Sequence, residues 1–155
     1  MTPEVVPAPT LDRNSPRVLI GFLIAVAIAG FLNALYLAVK FLQGVTPPCS
    51  LLKGCDVVTA SKYAEIGGIP IALIGAIFYA IVLGLLLAIL HKPEEKRLVA
   101  IFAILTGAAF LISLGLVYIQ LFVLRAICLY CMFSALDSTI LFIGGLWLRR
   151  QSRGA

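Results

Sequence analysis

Charge is scarce in this sequence. Twelve Lys and Arg and seven Asp and Glu make up 12% of 155 residues, against about 25% in an ordinary soluble domain, which excludes a water-soluble globule. Histidine occurs once, as His91, at the end of an apolar run where it suits an interfacial anchor. The sequence lacks internal repeats and any stretch with the composition of an attached soluble domain. No convincing cleavage site follows the first apolar run, so that run is expected to stay in place as a helix rather than leave as a signal peptide.

Long hydrophobic runs fill the space that charge leaves. Residues 18–39, 66–90 and 98–124 carry no charge, and 126–148 carries only Asp137. Each is long enough to cross a hydrocarbon core of about 30 Å as a helix. The expected fold class is an all-α integral membrane protein, a bundle of four transmembrane helices at about 17–41, 69–90, 96–124 and 127–148. Together they form one membrane domain over 17–149. Residues 1–16, with Pro3, Pro7, Pro9 and Pro16, and residues 150–155 read as disordered tails. The long connection, about 42–68, is expected to carry a short amphipathic helix within Cys55–Tyr63, lying on the bilayer surface and broken by Gly67-Gly68. Pro70 is expected in the first turn of the second membrane helix, where a missing N–H costs nothing.

Basic residues set the orientation. Arg13 and Arg17, then Lys92, Lys96 and Arg97, then Arg149, Arg150 and Arg153 fall on one side; only Lys40, Lys53, Lys62 and Arg125 fall on the other. The positive-inside rule puts both termini in the cytoplasm and the long loop outside, in the manner of an inner (cytoplasmic) membrane protein. The net charge of +5 is accounted for by this asymmetry, so no nucleic-acid partner is read into it.

On the outer side stand all four cysteines: Cys49 and Cys55 in the long loop, and Cys128 and Cys131 as a CxxC opening the last helix. The outside is where disulfides are made and persist. Thiols at a helix N-terminus are acidified by its free N–H groups and dipole, and Arg125 nearby is expected to favour the anion further. One pair in a loop and one fixed at a helix start suit an electron relay. Thiolate attack on successive disulfides passes electrons two at a time. The donor is expected to be the dithiol of an exported protein. The acceptor must lie within the bilayer, and a lipid quinone fits.

The run Gly54-Cys55-Asp56-Val57-Val58-Thr59-Ala60-Ser61-Lys62-Tyr63-Ala64, then Gly67-Gly68-Ile69-Pro70 with Gly75 and Tyr79, then Cys128-Leu129-Tyr130-Cys131, resembles the bacterial branch of the vitamin K epoxide reductase family over roughly 17–148. The quinone-reducing disulfide-bond oxidases of proteobacteria, also built of four helices, carry their CxxC in the first outer loop rather than after the second. The resemblance implies a four-helix bundle around a quinone (ubiquinone, menaquinone or phylloquinone), capped by the long loop. It implies that Cys131 contacts and reduces the quinone and that Cys128 is its resolving partner, resting as a disulfide with it. Cys55 is implied to attack Cys128, Cys49 to exchange with the outside partner, and Ser61 to help hold the loop. The animal enzymes grip the quinone oxygens with an Asn and a Tyr where this sequence has Ile71 and Ala135, so simple quinone reduction is implied in place of epoxide reduction. Many bacterial relatives carry a fused thioredoxin-like domain. The partner implied here is a separate exported thioredoxin-fold protein.

Plainer readings stand beside these. A structural Cys49–Cys55 disulfide is the plainer alternative, though a loop this short gains only modest stability from it. A four-cysteine zinc site would want short spacings on both sides, and Cys49-x5-Cys55 is loose for that, so no metal is expected. A non-enzymatic, disulfide-stapled four-helix scaffold or small transporter is the alternative from another class. Phe31, Phe78, Tyr79, Phe110, Phe122 and Phe133 are candidates for a quinone cavity, although aromatic residues in membrane helices more often serve plain packing. On the helical wheel Ser134 and Ser138 fall nearer Cys131 than Asp137 does. Asp137 itself is expected either to be protonated or bonded to a neighbour such as Asn33, Gln120 or Tyr118, or to deliver protons.

Overall fold

The computed structural model describes residues 15–48 and 54–154. Four helices have the length and apolar composition to cross a membrane. Helix α1 spans Ser15–Leu42. The loop carries α2, Cys55–Thr59, and a two-residue hairpin of β1, Glu65–Ile66, with β2, Ile69–Pro70. Helix α3 spans Ile71–His91, α4 spans Lys96–Tyr118 and continues as a π-helical turn, Ile119–Leu124, and α5 spans Leu129–Gly154. The chain is thus an all-α membrane protein, with the hairpin as the small addition that composition did not foretell.

Two local features depart from expectation at the outer end. Gly67 and Gly68 do more than break the loop helix. Their φ values of 61° and 83° make the hairpin turn, a backbone shape that L side chains resist. Pro70 is the N-cap residue of α3, extended at φ −63° and ψ 132°, and so precedes the first turn. At the inner end α5 outruns the expected stop at 148 and keeps Arg149, Arg150 and Arg153 in helix. Long basic side chains reach back to the interface from such positions, so the helix need not end where the charges begin. The tail expected over 150–155 is helical as far as Gly154. The tail expected at the N-terminus lies outside the described residues up to 14, and α1 already includes Ser15 and Pro16.

Helix α1 packs on α3 and α5 and α4 packs on α5, while α3 and α4 meet more sparsely than these neighbouring pairs do. The core follows the inward stripe of each helix: Ile20, Leu23, Ala27 and Ala34 from α1, Ala76, Tyr79, Val82 and Leu86 from α3, Phe102 from α4 and Leu141 from α5. Lipid tails are as apolar as leucine, so packing between these helices depends on close fit. Small residues provide it. A Cβ on Gly144 would meet the Leu23 side chain at 2.5 Å, and one on Gly145 would meet the Phe102 ring at 3.1 Å. The two adjacent glycines therefore let α1 and α4 approach α5 from different sides. The opposite faces present Phe22, Leu32, Ile104, Leu111 and Trp147, all well exposed, as a surface for hydrocarbon. Tight packing at the inner half and sparse contact between α3 and α4 leave room at the outer half, where the long loop lies over the bundle.

Candidate active site

The π-helical turn governs how the CxxC is presented. An α-helix running on through 124 would carry its own hydrogen-bond ladder past Gln120. Instead the turn widens, Arg125 ends it in the left-handed region at φ 50°, and the chain doubles back. The Ala126 N–H then donates to the Gln120 backbone carbonyl at 3.0 Å. The Cys128 N–H donates to Gln120 Oε1 at 2.9 Å. From the other side Asn33 of α1 donates through Nδ2 to the Tyr130 carbonyl at 3.0 Å and to Ser134 Oγ at 2.9 Å. Two neutral amides in apolar helices thus grip the start of α5. The sequence shows both as polar residues in membrane runs; their partners here are the CxxC turn and Ser134. No bond joins them to Asp137, as the sequence suggested. Tyr118 is exposed beside the Phe122 ring, and Asp137 Oδ2 is buried with no hydrogen-bond partner.

Cys128 lies immediately before α5 and is wholly buried. Its thiol is pushed down to about 7 from an ordinary 9.0, foremost by the hydrogen bond from the Cys131 thiol, which outweighs the opposing effect of burial; the backbone N–H groups of Cys131 and Tyr130 add to it. This is the helix N-terminal effect in atomic form, N–H groups aimed at one sulfur. Arg125, expected to favour the anion, is exposed and has no part in the shift. Cys128 and Cys131 are free thiols here, where the resemblance implies a disulfide between them at rest. Cys55 is disulfide-bonded. Cys49 lies outside the described residues.

The loop brings Cys55 to the same place. Cys55, Val58, Ala126 and Cys128 form one buried cluster, with Leu124, Tyr130 and Cys131 against it. The approach is close at Gly54, where an added Cβ would meet the Ile127 backbone N and O at 2.8 Å. Within the loop, Ser61 Oγ donates to the Val58 carbonyl at 2.8 Å, and Thr59 donates to the Cys55 carbonyl, so both hydroxyls tie α2 to itself.

Beneath the loop is a cavity of about 700 Å³, walled mostly by apolar groups, within the range of about 300–1,000 Å³ usual for small-molecule sites. Cys131, Ser134, Ala135 and Ser138 of α5 line it, with Ser61, Phe78 and Tyr79. Ile71 is on the wall too, so both positions where the resemblance expects polar grips present aliphatic carbon. Ile74 of α3 and Ile112 of α4 line the cavity while remaining 46% and 64% exposed, which leaves its flank open to lipid where those helices diverge.

Four aromatic candidates are corrected by the structure. Phe110 stacks on Phe142 at 5.2 Å between ring centres, because α4 turns it toward α5. Phe122 is 66% exposed, since the π-helical turn swings it out beside Tyr118. Phe31 packs against the inner core and Phe133 is exposed. None of the four is on the cavity wall. Cys128 and Cys55 are not on the wall; they lie in the buried cluster against which Cys131 packs. Among the described residues no three of His, Cys, Asp or Glu come together in a metal-binding group.

The arrangement places a thiol on an apolar cavity, an acidified thiol bonded behind it, and a loop cysteine packed against the second. A family model described as "Vitamin K epoxide reductase family" matches residues 21–145, from α1 into α5.

Proposed function

The chain belongs to the vitamin K epoxide reductase family and is a membrane oxidoreductase; from that premise we propose that it moves two electrons from exported dithiols to a membrane quinone. The observation that carries this reading is the position of Cys131 on the wall of an apolar cavity, bonded to a Cys128 that shares a buried cluster with Cys55.

In the proposed cycle a reduced thioredoxin-fold protein outside the membrane exchanges with the loop disulfide at Cys49, becoming oxidised and leaving Cys49 and Cys55 as thiols. Cys55 attacks Cys128 of an oxidised CxxC, forming a Cys55–Cys128 bond and releasing Cys131. Cys49 then attacks Cys55, which restores the loop disulfide and frees Cys128 as a thiolate. Cys131 next adds to the quinone ring through sulfur. Cys128 attacks the Cys131 sulfur, the new S–S bond forms as the S–C bond breaks, and the electron pair stays on the ring. The two thiol protons offset the two taken up by the quinone oxygens, and quinol leaves sideways into lipid. Net, one dithiol becomes a disulfide and one quinone becomes quinol. The same assignment puts the four cysteines outside a cytoplasmic membrane and both termini inside, in keeping with the distribution of basic residues.

The test is quinone reduction by purified protein with dithiothreitol as donor, using ubiquinone and menaquinone analogues. Turnover is expected for the unaltered chain and is expected to vanish in Cys131→Ala. The Cys49→Ala chain should keep turnover with dithiothreitol and lose it with a protein dithiol. Absence of turnover with every quinone would overturn the relay, and full activity of Cys49→Ala with a protein donor would overturn the role given to Cys49.

A further inference from the structure

Four polar side chains are buried among the described residues: Thr106, Gln120, Asp137 and Ser138. Thr106 donates to the Phe102 carbonyl, and Ser138 donates to the Ala135 carbonyl and bonds Ser113 Oγ. Asp137 does not line the cavity. Gln120 is different, because it is 3% exposed, lies on the cavity wall, and has only half of its carboxamide engaged. Oε1 accepts the Cys128 N–H, whereas Nε2 has no hydrogen-bond partner among the described residues.

An amide nitrogen with two N–H donors facing an apolar space is costly unless an acceptor comes to it. The acceptor must arrive in the cavity, since Oε1 is tied to the CxxC backbone and holds the carboxamide there. Several hydroxyls on the wall are taken: Thr59, Ser61, Tyr79 and Ser138 each donate to a backbone carbonyl, and Ser134 Oγ accepts from Asn33. Thr46 and Tyr63, on the loop side of the cavity, are less buried than Gln120. Among the described residues Gln120 is also the only amide side chain on that wall. Its Oε1 lies 2.9 Å from the Cys128 nitrogen, so an oxygen accepting from Nε2 would sit within a few ångströms of the reactive pair. A quinone carbonyl is such an acceptor, uncharged and carried into a bilayer site by an otherwise apolar molecule.

We propose that Gln120 is a quinone-binding residue whose Nε2 donates to one ring carbonyl while its Oε1 stays on the Cys128 N–H. This rests on the quinone reading above and assigns the polar grip at the reacting ring to an amide before the CxxC, on a wall where Ile71 and Ala135 are apolar. One carboxamide then fixes both the ring and the cysteine turn. Polarisation of the amide by the Cys128 N–H strengthens its own donors. The same bond meets the negative charge that grows on that oxygen as electrons enter the ring.

The experiment uses the full chain with ¹³C-carbonyl-labelled menaquinone and ubiquinone analogues, in a Cys131→Ala background so that bound quinone is not consumed. Infrared difference spectra should show one carbonyl band lowered in frequency by the hydrogen bond. In Gln120→Leu that band should return to the position of the unbonded carbonyl. With Cys131 restored, kcat/KM for quinone should fall about tenfold, as loss of one hydrogen bond predicts. Gln120→Met, unbranched and of similar length, has no N–H or O–H donor and tests the same bond should the leucine variant fold poorly. A purely structural role would leave the carbonyl bands of the methionine variant unchanged. Unmoved bands in a protein that still reduces quinone overturn the assignment alone. A protein that neither binds nor reduces any quinone overturns the relay and this assignment together.

Discussion

Three donors converge on the sulfur of Cys128: the Cys131 thiol and the N–H groups of Cys131 and Tyr130. With that thiol at about 7, the anion predominates above this pH and is lost below it. Nucleophilic attack by Cys128 should therefore fade as the medium is acidified through neutrality. In a single-turnover experiment with pre-reduced protein, the rate of quinone reduction is expected to climb between pH 6 and 8, around the value of about 7; a flat profile over that interval would refute it. The spacing of two cysteines announced this chemistry. That Cys128 is the acidified member followed only from the direction of the hydrogen bonds. Arg125 misled because nearness in sequence is not contact: the residue ends the π-helical turn in the left-handed region with its side chain exposed.

Elements decide which residues meet. The π-helical turn shifts the register of the last residues before the CxxC, which brings Gln120 inward and throws Phe122 outward. Hydropathy carries no mark of such a shift, since every residue from Ile119 to Leu124 except Gln120 is apolar, and α-helical spacing therefore misjudged this stretch. By contrast, the wheel placed Ser134 and Ser138 beside Cys131 correctly, because α5 is regular there. The loop element meets this turn at Gly54. A methyl group at that position would press on the Ile127 backbone, which cannot yield as a side-chain tip does. Gly54→Ala should cost about 1–3 kcal/mol of stability. It should also reduce the amount of Cys55–Cys128 mixed disulfide trapped in a Cys131→Ala background, read by non-reducing electrophoresis. Unchanged trapping would mean that the loop reaches Cys128 without docking on 126–127.

For the whole molecule, four apolar runs were enough to give the four membrane-crossing helices, because their length and lack of charge allow little else. What the runs could not convey is which helices stay apart. That depends on where Gly144, Gly145 and their partners permit close approach, a property of pairs that one sequence does not display. The proposed orientation rests on basic residues in short segments. A single cysteine introduced in place of exposed Lys62, in a chain otherwise free of cysteine, should react with a membrane-impermeant thiol reagent added to whole cells. One in place of exposed Lys92 should react only after the membrane is opened. The reverse pattern would invert the topology and, with it, the compartment of the cysteines.

The flank between α3 and α4, where Ile74 and Ile112 border the cavity and remain exposed, has a kinetic corollary. A substrate entering there is met as a solute of the bilayer and never as a solute of water. Its effective concentration is a mole fraction in lipid or detergent, so extra detergent at fixed protein and quinone would slow turnover by surface dilution, and affinities measured in different micelles would agree only after conversion to that scale.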